Sequence, residues 1–284
     1  MNPTTLLLID DDPAYCLQLK EAAKAYRIDI LYHHNLEEGM AALESSRRIK
    51  AVILDGRCLL EPDQKCAART NFVFHGLQQI RDIENTYNRL IPCCVNTEQP
   101  IDFNEDLDGI TQVFQKFEQN NALFDWLKNA IAQLPDTLIR KRYDDIFEKT
   151  SIHFTEEEED LLVDVLQTVH LSDPSQIITN LALLRRLLER LVDIACPLKL
   201  KKQPHEFTVG QGSRTKRILD AMHNNVLPSD LFVSANQLYA TCSKYGNHQG
   251  LKTNGAIFKP GRYTVQRLTF AYLELADYLL SNKP

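Results

Sequence analysis

Aspartates directly follow two short apolar runs in the N-terminal half of the chain. Asp10 and Asp11 come after Leu6–Ile9, and Asp55 comes after Ala51–Leu54. Continuous apolar runs of this length are typical of strands that are buried on both faces of a parallel sheet. The carboxyl ends of such strands meet at one edge of the sheet. Three carboxylates there would bind a hard divalent cation such as Mg²⁺, and one of them could act as a nucleophile toward phosphorus.

Two more polar side chains follow later strand-like runs. Lys116 comes after the predicted strand Ile110–Gln115, where its ammonium group would reach the carboxylates. Thr97 follows the predicted strand Leu90–Val95 and can offer a hydroxyl group to a phosphoryl oxygen. Because several carboxylates at one edge repel one another, we expect a cation to neutralise them and to bind phosphoryl oxygens.

Strand and helix patterns alternate through residues 1–135, which predicts a five-stranded parallel sheet with helices on both faces, an α/β doubly wound fold. The five predicted strands are Leu6–Ile9, Ile28–His33, Ala51–Leu54, Leu90–Val95 and Ile110–Gln115. The predicted helices are Ala14–Tyr26, Leu36–Ser45, Leu77–Asn88 and Ala122–Leu134. We expect the fourth helix, in the acidic region Gln99–Asp108, to be short or missing.

After Thr137 the strand signals fade and helical periodicity dominates, which predicts an all-α helical bundle over residues 151–284. The predicted helices are Leu161–Val169, Pro174–Ile194, Arg214–Met222, Ser234–Tyr245 and Tyr263–Leu280. Residues 136–150, with the basic run Arg140–Arg142, are predicted to form a linker helix between the two domains.

Composition points to a globular protein, since 44% of the 284 residues are hydrophobic and 25% are charged. No apolar run is long enough to cross a bilayer, so we expect no membrane association. An odd count of seven cysteines, without a secretory signal, favours reduced thiols and a cytoplasmic location. Residues 1–135 hold 13 Lys and Arg against 20 Asp and Glu, which makes them a poor nucleic-acid binder. The remainder holds 19 against 18 and neither demands nor excludes such a partner.

Residues 1–135 resemble the receiver domain of two-component response regulators. The resemblance rests on the acidic pair after the first strand, Asp55 at the end of the third, Thr97 five residues after Pro92, and Lys116 after the fifth. Each motif alone is common, but all of them in this order and spacing form a specific signal. The resemblance implies the flavodoxin-like form of the doubly wound fold.

The resemblance also implies a role for each of these residues. Asp55 would accept a phosphoryl group from a histidine kinase or a phosphotransfer protein, and Thr97 and Lys116 would bind that group. The Mg²⁺ ligands would be Asp10, Asp11, Asp55 and the backbone carbonyl of Arg57. Homodimerisation would use the face formed by helix 4, strand 5 and helix 5. No enzymatic activity is implied beyond phosphorylation and dephosphorylation of the receiver itself.

Four features depart from the family pattern. The aromatic residue that the family has on the fifth strand does not align cleanly, because Val113 occupies its spacing and Phe114 follows it. Phe117 stands where the family usually has proline, and Glu98 stands where it usually has a small residue. The loop after Asp55 is long, since it runs from Gly56 to His75. These departures leave open a pseudo-receiver that acts as a scaffold without turning over phosphate.

The end of the second domain has a resemblance of its own, to abortive-infection C-terminal and HEPN-like helical domains. It rests on Tyr245–Gly250, on Arg262 and on the final helix. HEPN ribonucleases place an arginine four to six residues before a histidine, whereas Lys244 is the nearest basic residue before His248. We therefore expect an output domain that binds a protein or a nucleic acid, with His248 and Lys244 as its candidate site. A receiver-gated HEPN-like ribonuclease and a DNA-binding transcriptional regulator are the alternatives.

Overall fold

The computed structural model describes residues 3–62, 71–104, 106–209, 212–245 and 260–281. It divides the chain into two compact units, Met1–Leu134 and Pro135–Pro284. None of the helices in these described ranges combines the length and the apolar character that a membrane span requires.

The first unit contains a five-stranded parallel sheet with the strand order β2-β1-β3-β4-β5. Its strands are β1 (Thr4–Ile9), β2 (Ile28–His33), β3 (Ile49–Asp55), β4 (Cys93–Thr97) and β5 (Gln112–Gln115). The strand order reverses between β1 and β3, which is where ligands bind in open doubly wound sheets. The predicted α/β fold class is therefore confirmed.

Five helices flank this sheet: α1 (Pro13–Ala23), α2 (Leu36–Ser45), α3 (Phe72–Tyr87), α4 (Ile101–Asn104) and α5 (Asn120–Ala132). The fourth is a single turn, as its acidic, proline-containing sequence predicted. Helix α3 begins five residues before the predicted Leu77, because Phe72 and Val73 are buried and belong to its apolar face. Strand β4 begins at Cys93 rather than at Leu90, since Leu90 is exposed and Pro92 has no N–H to donate.

The strands are apolar on both faces because helices cover both sides of the sheet. Along β1, Leu6 and Leu8 belong to one buried cluster, whereas Leu7 and Ile9 belong to the other. Helix α2 approaches β1 closely at Gly39, where a Cβ atom would overlap the side chain of Ile9. This close approach holds the carboxyl end of β1, and thus the acidic residues that follow it, against the helical layer.

Helix caps fix the turns that leave the sheet. The Asp12 carboxylate accepts hydrogen bonds from the backbone N–H groups of Ala14 (2.9 Å) and Tyr15 (3.2 Å), and Pro13 occupies the first helical position of α1. Helix α2 is capped in the same way, since the Asn35 side chain accepts from the Glu38 N–H at 2.9 Å. The first cap turns the chain sharply after Asp10 and Asp11, so both remain at the edge of the sheet.

The described part of the second unit contains helices and no strand, as predicted. Its α-helices are α6 (Pro135–Arg142), α7 (Asp144–Thr150), α8 (Glu156–Thr168), α9 (Pro174–Ala195), α10 (Arg214–His223), α11 (Ser229–Tyr245) and α12 (Arg262–Leu280). A π-helical turn at Cys196–Leu200 follows α9. Apolar residues of α9 run through the core, among them Leu181, Leu184, Leu187, Leu188 and Leu191.

The segment 136–150, predicted as a linker helix, forms parts of α6 and the whole of α7. Ile146 and Phe147 of α7 are buried in the core of the second unit. In the described ranges the six cysteines, all except Cys66, carry free thiols.

We predict that Gly39→Ala destabilises the first unit. The added methyl group has no space beside Ile9, and overpacking of this kind costs roughly 1–3 kcal/mol. Thermal unfolding followed by the fluorescence of Trp126, the single tryptophan and a residue of the first unit, measures the effect. Gly261→Ala is the control, because a Cβ atom there meets nothing within 4 Å. An unchanged midpoint for Gly39→Ala would show that α2 does not press on β1.

Candidate functional site

Three carboxylates meet at the carboxyl edge of the sheet. Asp10 directly follows β1, and Asp55 is the last residue of β3, the neighbouring strand. The preceding residues Ile9 and Leu54 are paired in register, so the two aspartates lie side by side. One carboxylate oxygen from each of Asp10, Asp11 and Asp55 lies within 4.8 Å of the others. The predicted acidic cluster is thus brought together.

Lys116 reaches the same edge from the end of β5. Its Nζ atom lies 2.7 Å from Asp10 Oδ2 and 3.0 Å from Asp55 Oδ1. Its backbone N–H donates to the Thr97 carbonyl at 2.9 Å, which extends the β4–β5 pairing by one step. The side chains of Lys116, Asp10 and Asp55 are all buried, so water screens their interactions only weakly.

Thr97 is placed beside the phosphoacceptor candidate by a close contact with Gly56. A Cβ atom at position 56 would lie 2.7 Å from Thr97 Cβ and 2.8 Å from Phe103 Cε2, so only glycine fits there. The Gly56 N–H donates to Asp55 Oδ1 at 2.7 Å, and Thr97 Oγ1 accepts from the Gln99 N–H at 3.3 Å. The Thr97 hydroxyl is therefore next to the residue that follows Asp55.

Arg57 extends from the loop after β3 toward α4. Its Nη2 donates to the Asp102 carboxylate at 2.7 Å, and both side chains are partly exposed. The assignment of its backbone carbonyl as a metal ligand stays a prediction. Glu98 is exposed, and Phe117 has a positive φ of 66°, in the left-handed region.

The cluster carries more negative than positive charge. Burial and the charge of the neighbouring Asp10 together raise the pKa of Asp55 to about 7, although Lys116 opposes the shift. Burial likewise raises the pKa of Asp10. Burial alone would lower the pKa of Lys116, but the charges of Asp55 and Asp10 outweigh it, so the net shift is upward. The Lys116 ammonium group therefore stays charged. Because the carboxylates outnumber it, a bound proton or another cation would stabilise the cluster.

The residues present fit a magnesium ion. All donors are oxygens, as Mg²⁺ prefers, and they converge within the reach of a single small ion. A divalent ion would also neutralise the surplus charge that burial makes costly. Asp10, Asp11 and Asp55 are the side chains that would hold it.

Sequence reasoning missed three residues around this site. His34 Nδ1 lies 3.0 Å from the Asp10 carbonyl oxygen, at the end of β2. Tyr15 and Asn96 form a buried hydrogen-bonded pair beneath Lys116. The only signal in the sequence was a polar residue, Asn96, that continues the apolar run of β4.

The candidate site in the second unit is only partly placed. Lys244 is exposed in the last turn of α11, and its Nζ lies 5.1 Å from the ring centroid of Tyr245. His248 lies outside the described residues, so the pairing of Lys244 with His248 stays a prediction.

Comparison with solved structures finds receiver proteins. The chain is similar to a response regulator receiver domain protein from Clostridium thermocellum, with 17% identity and a TM-score of 0.35 over 46% of this chain and 95% of that one. It is also similar to a response regulator from Thermotoga maritima, with 17% identity and a TM-score of 0.34 over 47% of this chain and 100% of that one. No protein-family model and no curated protein matches the chain. The resemblance of the second unit to HEPN-like domains stays a prediction.

We predict that the metal-free wild-type protein loses stability relative to the Asp55→Asn variant as pH rises. Its pKa is about 7 in the folded unit and 3.8 as the ordinary value, so the folded state alone holds this proton between those limits. The stabilisation is complete below pH 3.8 and is lost as pH rises through 7. Relative to wild type, Asp55→Asn should gain roughly 1–4 kcal/mol between pH 4 and pH 8.

Urea unfolding of chelator-treated protein, followed by Trp126 fluorescence, gives the two stabilities at each pH. Asp12→Asn is the matched control, since asparagine preserves the helix cap and Asp12 lies outside the cluster. A difference between wild type and Asp55→Asn that does not vary with pH would contradict the raised pKa.

Proposed function

We propose that the first unit is a phosphate-accepting receiver that takes a phosphoryl group on Asp55 with Mg²⁺, and that the helical unit relays this state to a partner. One observation carries the proposal. The Lys116 ammonium group lies within 3.0 Å of Asp55 and 2.7 Å of Asp10, at the sheet edge where the three carboxylates converge. Aspartates that only capped helices or lay on the surface would not need a buried ion pair with a lysine 61 positions after Asp55 in the chain.

The reaction supported by this geometry is a phosphoryl transfer between side chains. An Asp55 carboxylate oxygen attacks the phosphorus of a phosphohistidine, an O–P bond forms, and the N–P bond breaks. The imidazole nitrogen of the donor leaves with the bonding electrons and takes up a proton. When bound, Mg²⁺ would neutralise carboxylate charge and stabilise the charge on the phosphoryl oxygens.

Residues of this chain bind and orient the transferred group. The Lys116 ammonium group, already 3.0 Å from Asp55 Oδ1, is placed to pair with a phosphoryl oxygen. The Thr97 hydroxyl, beside Gly56, can donate to a second oxygen. The Gly56 N–H already donates to Asp55 Oδ1 and holds the carboxylate in one orientation. Positioning and electrostatic stabilisation of this kind supply most of the catalysis in phosphoryl transfer.

The partners follow from the same proposal. The donor is a histidine kinase or a phosphotransfer protein.

Phosphorylation adds charge and strong acceptor oxygens beside Thr97 and Lys116, which biases the packing of the neighbouring α4–β5–α5 face. Two exposed apolar side chains support this face as a homodimer contact: Ile101 (84% exposed) lies in α4, and Ile110 (48%) shortly precedes β5. The helical unit then passes the state to a protein or a nucleic acid.

We predict that the full-length protein, incubated with acetyl phosphate and Mg²⁺, gains one phosphoryl group. Intact-mass spectrometry measures the gain, and chelation of Mg²⁺ should abolish it. Asp55→Asn removes the nucleophilic carboxylate and should show no gain. Asp12→Asn should be phosphorylated like wild type, because its side chain caps α1 and lies outside the cluster.

An unmodified wild-type protein at saturating donor would contradict the proposal and would favour the pseudo-receiver scaffold. Equal modification of Asp55→Asn and wild type would contradict the assignment of the nucleophile.

A further inference from the structure

An aromatic face packs against the lysine of the site. Lys116 Nζ lies 4.6 Å from the ring centroid of Tyr15, which is within the range of a cation–π interaction. Tyr15 is in the first turn of α1, and only 2% of its surface is exposed. The ammonium group is therefore held by Asp10, Asp55 and the face of a buried ring, where the exclusion of water strengthens the attraction.

The Tyr15 ring is itself fixed from two sides. Asn96 Nδ2 donates to the Tyr15 hydroxyl at 2.5 Å, and Asn96 is paired in register with Asp55 across β3 and β4. Phe117 packs edge-on against the same ring, with centroids 5.0 Å apart and an interplanar angle of 76°. The Tyr15 ring therefore contacts Asn96, which lies on β4 beside Asp55, and Phe117, which directly follows Lys116.

The need to fill space does not explain the choice of these three residues. Asn96 is fully buried, and its Oδ1 atom has no hydrogen-bond partner among the described residues. Phe117 adopts a left-handed backbone conformation, which is costly for a bulky residue. A phenylalanine and a valine would fill the space of Tyr15 and Asn96 without burying an amide and a hydroxyl group. The polar pair is explained if the ring must be held in one orientation.

We infer that Tyr15 is a positioning residue that holds the Lys116 ammonium group where a phosphoryl oxygen arrives at Asp55. The inference rests on the proposed function. When a phosphoryl group occupies Asp55, the lysine exchanges its contact with the Asp55 carboxylate for one with the new oxygen. The ring contact persists through that exchange, so the ammonium group is already oriented and less reorganisation is needed.

The test is the affinity of the full-length protein for beryllofluoride, a phosphoryl mimic, in saturating Mg²⁺. Isothermal titration calorimetry compares wild type with Tyr15→Met, which removes the ring but fills the core, and with Tyr15→Leu as a second ring-free variant. Tyr15→Phe keeps the ring and removes the hydroxyl group. Phe124→Met is the matched control, because Phe124 is a fully buried aromatic residue of the same apolar cluster. Mg²⁺ affinity is measured alone for each protein.

We expect the ring-free variants to bind beryllofluoride about fivefold or more weakly than wild type. Their Mg²⁺ affinity should stay within about twofold, since the three carboxylates are intact. Tyr15→Phe should recover most of the affinity, and Phe124→Met should bind like wild type. If Tyr15 had a purely structural role, its replacement would lower thermal stability. It would not weaken beryllofluoride binding more than Mg²⁺ binding.

Three outcomes would overturn the inference. Beryllofluoride affinity equal to that of wild type in the ring-free variants would show that the ring does not act on Lys116. An equal loss in Phe124→Met would show that any large cavity in this core has the same effect. A wild-type protein that binds no beryllofluoride would instead contradict the proposed function, and the role of Tyr15 with it.

Discussion

The contact of one buried ammonium group with two buried carboxylates constrains the rest of the first unit. Lys116, Asp10 and Asp55 come from the ends of three different strands, so they meet only if the strands are parallel and correctly ordered. Each charge would be costly to bury alone, and their mutual contacts offset part of that cost. Close packing at Gly39 and Gly56 brings the strand ends and their neighbours near enough for that convergence.

The same contact leaves the site short of positive charge. Three carboxylates face one ammonium group, and burial raises the pKa of Asp55 to about 7. Such a site gains from a divalent cation and from any ligand that brings its own positive charge or hydrogen-bond donors. Asp55, the carboxylate proposed as the nucleophile, is thus one whose charge is destabilised by burial in the absence of a metal.

Much of this arrangement could be predicted from the sequence, because parallel strands place the residues that follow them at a common edge. That rule alone brought Asp10, Asp55 and Lys116 together. The start of α3 and the role of Tyr15 could not be predicted in this way. Periodicity marks Tyr15 as an apolar position of α1, but its contact with Lys116 depends on how α1 packs on the sheet and on the conformation of Phe117. Segment 136–150 showed the same limit, since a helical pattern does not reveal what a helix packs against.

Whether Asp10, Asp11 and Asp55 share one small cation can be measured by a calorimetric Mg²⁺ titration of the full-length protein. Asp11→Asn is the informative variant, because Asp11 is exposed and its replacement leaves the buried ion pairs in place. We expect one Mg²⁺ per wild-type chain, with affinity lower by on the order of tenfold or more in Asp11→Asn and unchanged in Asp12→Asn. Absence of binding to wild type, or equal binding to Asp11→Asn, would show that the three aspartates do not share a cation.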